Sequence, residues 1–344
     1  MLTQNEIAQI KDALTTSKKP YFYFHDDPDG LASYLLFYRY IKEGQGFVVK
    51  ARPHITNTFV ERVKHYGADR VFVLDIANVD QEFIDQVKIP VIWIDHHTPQ
   101  QPQNVAYYNP RAKPNGQNIP TPVLCYQVVQ QDLWLATIGS IGDWYFPPFA
   151  KEFTQQYPDI LPPNVKTIPD AMLNTKAGEI IKLFSFILKG ESRKVTNNIH
   201  ALATINDPYE LLEPKTKAGI QLKKHYDLVN TYYEQLKEQA LKNLKEQDPL
   251  IVFTYQEDQL SLTKDLANEF IARYPNKIII FGREKEGEYR CSLRSGSQIQ
   301  LHDLMTKAFE GIRATGGGHE HACGAAIQKE DFQQFIQNLR KLLQ

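Results

Sequence analysis

Up to about residue 150, short unbroken apolar runs alternate with longer stretches in which apolar residues recur every three or four positions. YFYFH (21–25), FVVKA (47–51), RVFVLD (70–75) and PVIWID (90–95) have the first pattern. LASYLLFYRYIKEG (31–44), NTFVERVKHYG (57–67) and NVDQEFIDQVK (78–88) have the second. Strands that are apolar throughout are buried on both faces, so the alternation predicts a parallel sheet with helices on both sides. MLTQNEIAQIKDAL, at the start, predicts a short amphipathic helix.

Residues 100–122, rich in Pro, Asn and Gln, predict a loop, and 121–144 one or two buried helices. The Pro-rich stretches 146–149 and 159–170 predict an excursion or loop. From 176 to 245 the pattern is helical and increasingly polar, and 230–247 has the character of a solvated connecting helix. A second α/β pattern follows. LIVFTY (250–255) is strand-like, 262–275 helical, and KIIIFG (277–282) with YRCSLRS (289–295) form an expected hairpin. The expected organisation is a first domain over 1–190, a helical connector over 191–248 and a smaller α/β domain over 249–344, with a cleft between the two domains.

Composition changes this picture little. The net charge of −1 gives no case for wholesale attraction to nucleic acid or a membrane surface. The most apolar stretch, LFSFIL (183–188), is too short to span a bilayer, so no membrane role is expected. Cys125, Cys291 and Cys323 show no CxxC spacing, which argues against a disulfide framework or thiolate zinc site and fits a reducing cytoplasm.

The chemistry lies where the strands end. The first runs into Asp26, Asp27 and Asp29, the third into Asp75, the fourth into Asp95, His96 and His97. In an open parallel sheet these ends share one edge, where ligands bind. Carboxylates gathered there without compensation would repel one another. One or two divalent cations resolve the conflict, and an Asp/His donor set without sulfur suits Mn²⁺, with Mg²⁺ the alternative.

These residues resemble the motifs of the DHH phosphoesterases. Asp95-His96-His97 closes an apolar strand as the family signature does. Asp27-x-Asp29-Gly30-x-x-Ser33 is similar to the first motif of the RecJ-like branch, Asp75 to the second, and Gly142-Asp143 to the fourth. Gly316-Gly317-Gly318-His319, preceded by Ser292-Leu293-Arg294-Ser295, resembles the GGGH segment of the family's C-terminal domain. The resemblance implies that Asp27, Asp29, Asp75, His96 and Asp143 ligate two ions, with Asp75 bridging them. It implies in-line attack on phosphorus by a hydroxide held between the ions, with His97 facing the substrate phosphate. His25 shares the strand face of Asp27 and completes the first ion's set in relatives with a His-x-x-x-Asp-x-Asp register. Here Leu31 stands where that register ends, which favours the RecJ-like register. Asp95 is expected to orient an imidazole, and Asp26 to be a capping or surface group.

Consecutive glycines allow a backbone anion nest, with Arg294 and His319 gripping a terminal phosphate. The implied activity is hydrolysis of single-stranded DNA or RNA, or of short oligonucleotides, from an end to mononucleotides. Small nucleotide substrates, a 3′-phosphorylated adenosine nucleotide or a cyclic dinucleotide, are the alternative. A replication scaffold, the third reading, is disfavoured because all five expected ligands are present.

Overall fold

All six positions of Pro20–His25 (β1) are buried, as a central strand of a covered parallel sheet requires. The computed structural model describes residues 1–50, 54–256, 260–296, 299–318 and 320–343. After α1 (Gln4–Thr16) and β1 come α2 (Pro28–Ile41), β2 (Gln45–Val49), β3 (His54–Ile55), α3 (Val60–Tyr66), β4 (Arg70–Leu74) and β5 (Asn78–Val79). Next are α4 (Gln81–Val87), β6 (Val91–Ile94), β7 (Ala106–Tyr108), α5 (Thr121–Val129) and α6 (Leu133–Gly142). The main sheet has the order β2-β1-β4-β6-β7 with every pair parallel. Strand β7 was not expected, because its three residues lie inside the stretch predicted to be a loop. It adds an edge to β6 through Ile92–Ile94.

Alternate residues of the strands supply two cores. Tyr21, Tyr23, Val71, Val73, Val91 and Trp93 pack with Val60 and Val63 of α3 and Phe83, Ile84 and Val87 of α4. On the other face Phe22 stacks on Phe72, and Phe24 stacks on Tyr34 of α2 at 4.5 Å between ring centres. Burying each phenylalanine stabilises the fold by about 2–3 kcal/mol. Helix α6 packs closely against α2. A Cβ on Gly139 would lie 2.5 Å from Ala32 Cβ, so only glycine permits that spacing.

Helices α7 (Ala150–Gln156), α8 (Ile168–Asn174), α9 (Lys176–Ile187), α10 (Ser192–Ala203), α11 (Tyr209–Leu212) and α12 (Lys217–Lys242) follow. Helix α7 thus occupies the gap between the two Pro-rich stretches. The chain forms two compact units, Met1–Leu188 with Thr196–Lys223, and Lys189–Val195 with Lys224–Gln344. The residues expected to connect two domains are therefore divided between the units. Within the first unit, Arg39 fastens the end of α10 to α2. Its guanidinium grips both oxygens of Asp132 at 2.8 and 2.9 Å and donates to the carbonyls of Ala203 and Ile205 and to Asn206 Oδ1.

The second unit contains β8 (Leu250–Gln256), α13 (Thr263–Arg273), β9 (Ile278–Lys285), β10 (Glu288–Arg294), α14 (Leu301–Ala308), β11 (Ala314–Gly318), β12 (Ala322–Gln328) and α15 (Phe332–Leu342). Its sheet has the order β11-β12-β10-β9-β8, parallel only between β8 and β9. The expected hairpin turns through Glu286 and Gly287, both left-handed, as a tight two-residue turn demands. Helices α14 and α15 cover one face through Leu301, Met305, Phe332, Phe335 and Leu339. From α13, Phe270 packs edge-on against Phe281.

Candidate metal centre

Strands β1, β4 and β6 deliver their carboxylates and imidazoles to one edge, and α6 adds a fourth contribution. Asp27 ends β1 and caps α2, its Oδ1 accepting from Gly30 N at 3.0 Å. Asp26, expected to be a capping or surface group, is not the cap and sits 3.5 Å from His25 Nε2 with its side chain partly exposed. Extended backbone at Asp27, φ −140° and ψ 176°, is what an N-cap requires, so the cap falls one residue later. A Cβ on Gly30 would meet His25 backbone N and O at 2.6 Å, so glycine is needed for α2 to start this close to β1.

Asp75 follows β4 in the left-handed region, φ +57°, with its N–H donating to Ile94 O at 3.0 Å. Asp is among the few residue types that tolerate this conformation. The turn sets its two carboxylate oxygens towards different neighbours. Oδ2 lies 3.3 Å from His25 Nδ1, which is 2.8 Å from Asp27 Oδ2. Oδ1 lies 3.2 Å from His96 Nε2, which is 3.8 Å from Asp29 Oδ2 and 3.7 Å from Asp143 Oδ2. Two donor groups result, His25/Asp27/Asp75 and Asp29/His96/Asp143, with a further Asp75/His96/His97 grouping across the junction. His25, ambiguous in the sequence, is in the first group.

Charge in this cluster is tightly constrained. Burial, and next the Asp75 carboxylate, push the Asp29 carboxyl well above its ordinary range. Burial and Asp27 push Asp75 upwards too, but the imidazoles of His25 and His96 outweigh them and hold it below its ordinary value. Burial alone would lower His96, yet Asp143, Asp75 and Asp29 raise it well above an ordinary histidine. Protons drawn onto Asp29 and His96 mark a site short of positive charge. Asp29 Oδ1 is buried and accepts no hydrogen bond from any described residue. An orphaned buried carboxylate oxygen in an Asp/His donor set fits divalent cations.

A supporting layer positions the imidazoles. His96 Nδ1 is 2.7 Å from Asn118 Oδ1, an acceptor, so Nδ1 carries a proton and Nε2 faces the carboxylates. Asp95, fully buried, accepts from His97 Nδ1 at 2.7 Å and from His97 N at 3.0 Å, as expected of a group that orients an imidazole. Asn109 donates to Asp95 Oδ2 and to His97 O. The first N–H of α5, from Thr121, donates to Asp29 Oδ2 at 3.2 Å. Asn109, Asn118 and Thr121 were missed in the sequence. Asn109 and Thr121 are buried and Asn118 is exposed, and neither burial nor the approach of Asn118 to His96 is visible in the sequence.

The second unit corrects one expectation. Gly316–Gly318 are not a nest at a turn but part of the edge strand β11, exposed and paired through Gly316↔Ala325, Gly317↔Gly324 and Gly318↔Cys323. Antiparallel pairing with β12 keeps Gly316 and Gly317 extended and spreads their N–H groups instead of converging them, while Gly318 has a positive φ of 150°. Arg294 faces Ala322 on the other side of β12, about 10 Å from Gly318 by strand spacing. Its Nε donates to Asn268 Oδ1 at 2.7 Å and its Nη1 to Leu293 O at 2.8 Å. His319 lies outside the described residues.

The family model described as "DHH family, N-terminal domain" matches residues 19–143, and the DHHA1 domain model matches 252–344. RecJ from Thermus thermophilus, in complex with Mn²⁺, is similar with a TM-score of 0.70 and 16% identity, covering 98% of this chain and 54% of that one. The chain therefore spans about half the length of that RecJ. The DHH domain of a member of a family of ribosomal proteins gives a TM-score of 0.69 and 15% identity over 98% of this chain and 89% of that one. The pGpG-specific phosphodiesterase PggH from Vibrio cholerae gives 0.50 and 16% over 94% and 97%. At such identities the likeness is one of fold. No curated protein matches the chain. With both domain models matched in order, and the acidic and imidazole residues of the first gathered on one sheet edge, the chain belongs to the DHH phosphoesterase family.

Proposed function

We propose that the protein is a phosphodiesterase dependent on divalent metal, with Mn²⁺ preferred over Mg²⁺, that degrades short single-stranded oligonucleotides from an end to mononucleotides. The observation that carries this is Asp75, buried, with one oxygen towards His25 and Asp27 and the other towards His96. His25, Asp27 and Asp75 would hold one ion, and Asp29, Asp75, His96 and Asp143 the other. When bound, such a pair supplies a nucleophile at neutral pH and positive charge for the phosphate oxygens. Asp95 and Asn109 fix His97 beside this cluster, in a position to donate a proton to the leaving oxygen. We assign Arg294 and the β11 edge to substrate binding, as separate contacts. RecJ structures holding Mn²⁺ and Mg²⁺ support the choice of ions.

The likeness to PggH, a pGpG-specific phosphodiesterase, supports a short substrate. No described helix is long and apolar enough to cross a membrane. The three cysteines are buried thiols, in keeping with a reducing cytoplasm. Calorimetric titration should show Mn²⁺ binding to the wild type. End-labelled oligonucleotides from dinucleotide upwards should be shortened from one end, fastest for the shortest. Cleavage of a 3′-phosphorylated adenosine nucleotide or a cyclic dinucleotide with intact oligonucleotides would replace this substrate assignment by the small-nucleotide one.

A further inference from the structure

We propose that Trp144 is a stacking platform for the nucleobase attached to the phosphate under attack, an inference that rests on the phosphodiesterase reading above. The chain has three tryptophans. Trp93 and Trp134 are buried, whereas Trp144 is 38% exposed. It directly follows Asp143, so its Cα stands about 3.8 Å from that of a proposed metal ligand. Asp143 is also the open rim of the cluster, its side chain 33% exposed against 1% for Asp29 and Asp75.

Trp144 is in the left-handed region, φ +60°. That conformation is costly for a bulky aromatic residue, and a helix end favours Gly or Asn there. It is nonetheless firmly set where α6 ends, Trp144 N donating to Ile141 O and Tyr145 N to Ser140 O, both at 3.0 Å. The indole makes no ring contact with any described aromatic residue. Backbone strain and a partly exposed apolar ring are two separate costs. A ligand that covers the exposed face of the ring offsets the second. Beside a phosphate-binding cluster, the flat apolar group one sugar away from the phosphate is a nucleobase. Indole presents a face and no pattern of donors and acceptors, so stacking there accepts any base.

The test combines binding and kinetics on the metal-loaded full chain. Adenosine 5′-monophosphate should quench the emission of the exposed indole, and ribose 5-phosphate should not. Trp144→Ala should raise KM for a dinucleotide about tenfold, with kcat changed less than about twofold. It should leave KM unchanged for the same compound made abasic at the base concerned, and Trp144→Phe should recover most of the loss. Trp144→Gly, which suits the left-handed backbone, should melt at or above the wild-type temperature yet bind the dinucleotide as weakly as Trp144→Ala. Unchanged KM in the Ala and Gly variants, or an equal loss on the abasic substrate, would overturn the proposal. If the wild type cleaved no phosphodiester at all, the phosphodiesterase reading would fall separately. Quenching by the nucleotide but not by the sugar phosphate would then still decide for or against stacking.

Discussion

At the strand ends of the first sheet, Asp29 and Asp75 are each 1% exposed and packed among other carboxylates and imidazoles. At the edge of the second sheet, Gly316–Gly318 are exposed backbone with no side chains. In the first region, like charges removed from water must be compensated, so each group depends on its neighbours. In the second, the groups offered are peptide N–H and C=O, whose placement needs only a paired strand. Substitutions should therefore be severe in the first region and graded in the second.

The largest effect should come from Asp75→Asn. Asn tolerates the same left-handed backbone, so the fold should persist. Because His25 and His96 hold this carboxylate below its ordinary pKa, its charge is net stabilised in the fold, and the metal-free variant should melt below the wild-type temperature. Turnover should fall more than about 1000-fold and Mn²⁺ binding should weaken, as calorimetry and kinetics would show. Retention of a few per cent of turnover would break the idea that this carboxylate serves both ions.

Asn118→Ala should be intermediate. It removes the acceptor that orients His96 but no proposed ligand, and the loss in metal affinity or activity should be about 10–100-fold. Asn118→Asp, which keeps an acceptor, should recover part of it. An effect within about twofold would mean that the surrounding carboxylates orient the ring without help.

The smallest change should be Gly317→Ala. A Cβ there has nothing within 4 Å, so stability should stay within about 0.5 kcal/mol of the wild type. If substrate lies close along this edge, KM should rise several-fold while kcat holds. An unchanged KM would remove β11 from the proposed substrate contacts.

The sequence showed the long apolar strands, the parallel sheet and the residues at its edge, because an unbroken apolar run that stops in charge fits a covered strand meeting its open end and little else. It was less informative where structure depends on distant partners. Strand β7, AYY, is too short to carry a period and exists through its pairing with β6. The Gly316–Gly318 run carries a turn signal, yet pairing with β12 makes it a strand. Asn118 and Asn109 are ordinary loop residues until His96 and Asp95 are brought to them across 22 and 14 positions. Asp26 and Asp27 are equally good caps by type, and only the backbone angles choose between them.

The knot at Arg39 bears on how the protein can be dissected. A fragment ending at residue 143, where the first domain match stops, would keep every proposed metal ligand. It would still lose the backbone carbonyls of residues 203 and 205 and the amide of Asn206, leaving Arg39 and Asp132 as an ion pair with half its cage missing. Such a fragment should be expressed insoluble or loosely folded, whereas one extended past the end of α10 to residue 223 restores the cage. The smallest autonomous piece that carries the metal cluster is thus set by a single guanidinium near the chain's beginning, which reaches for partners some sixty residues beyond the last proposed ligand, Asp143.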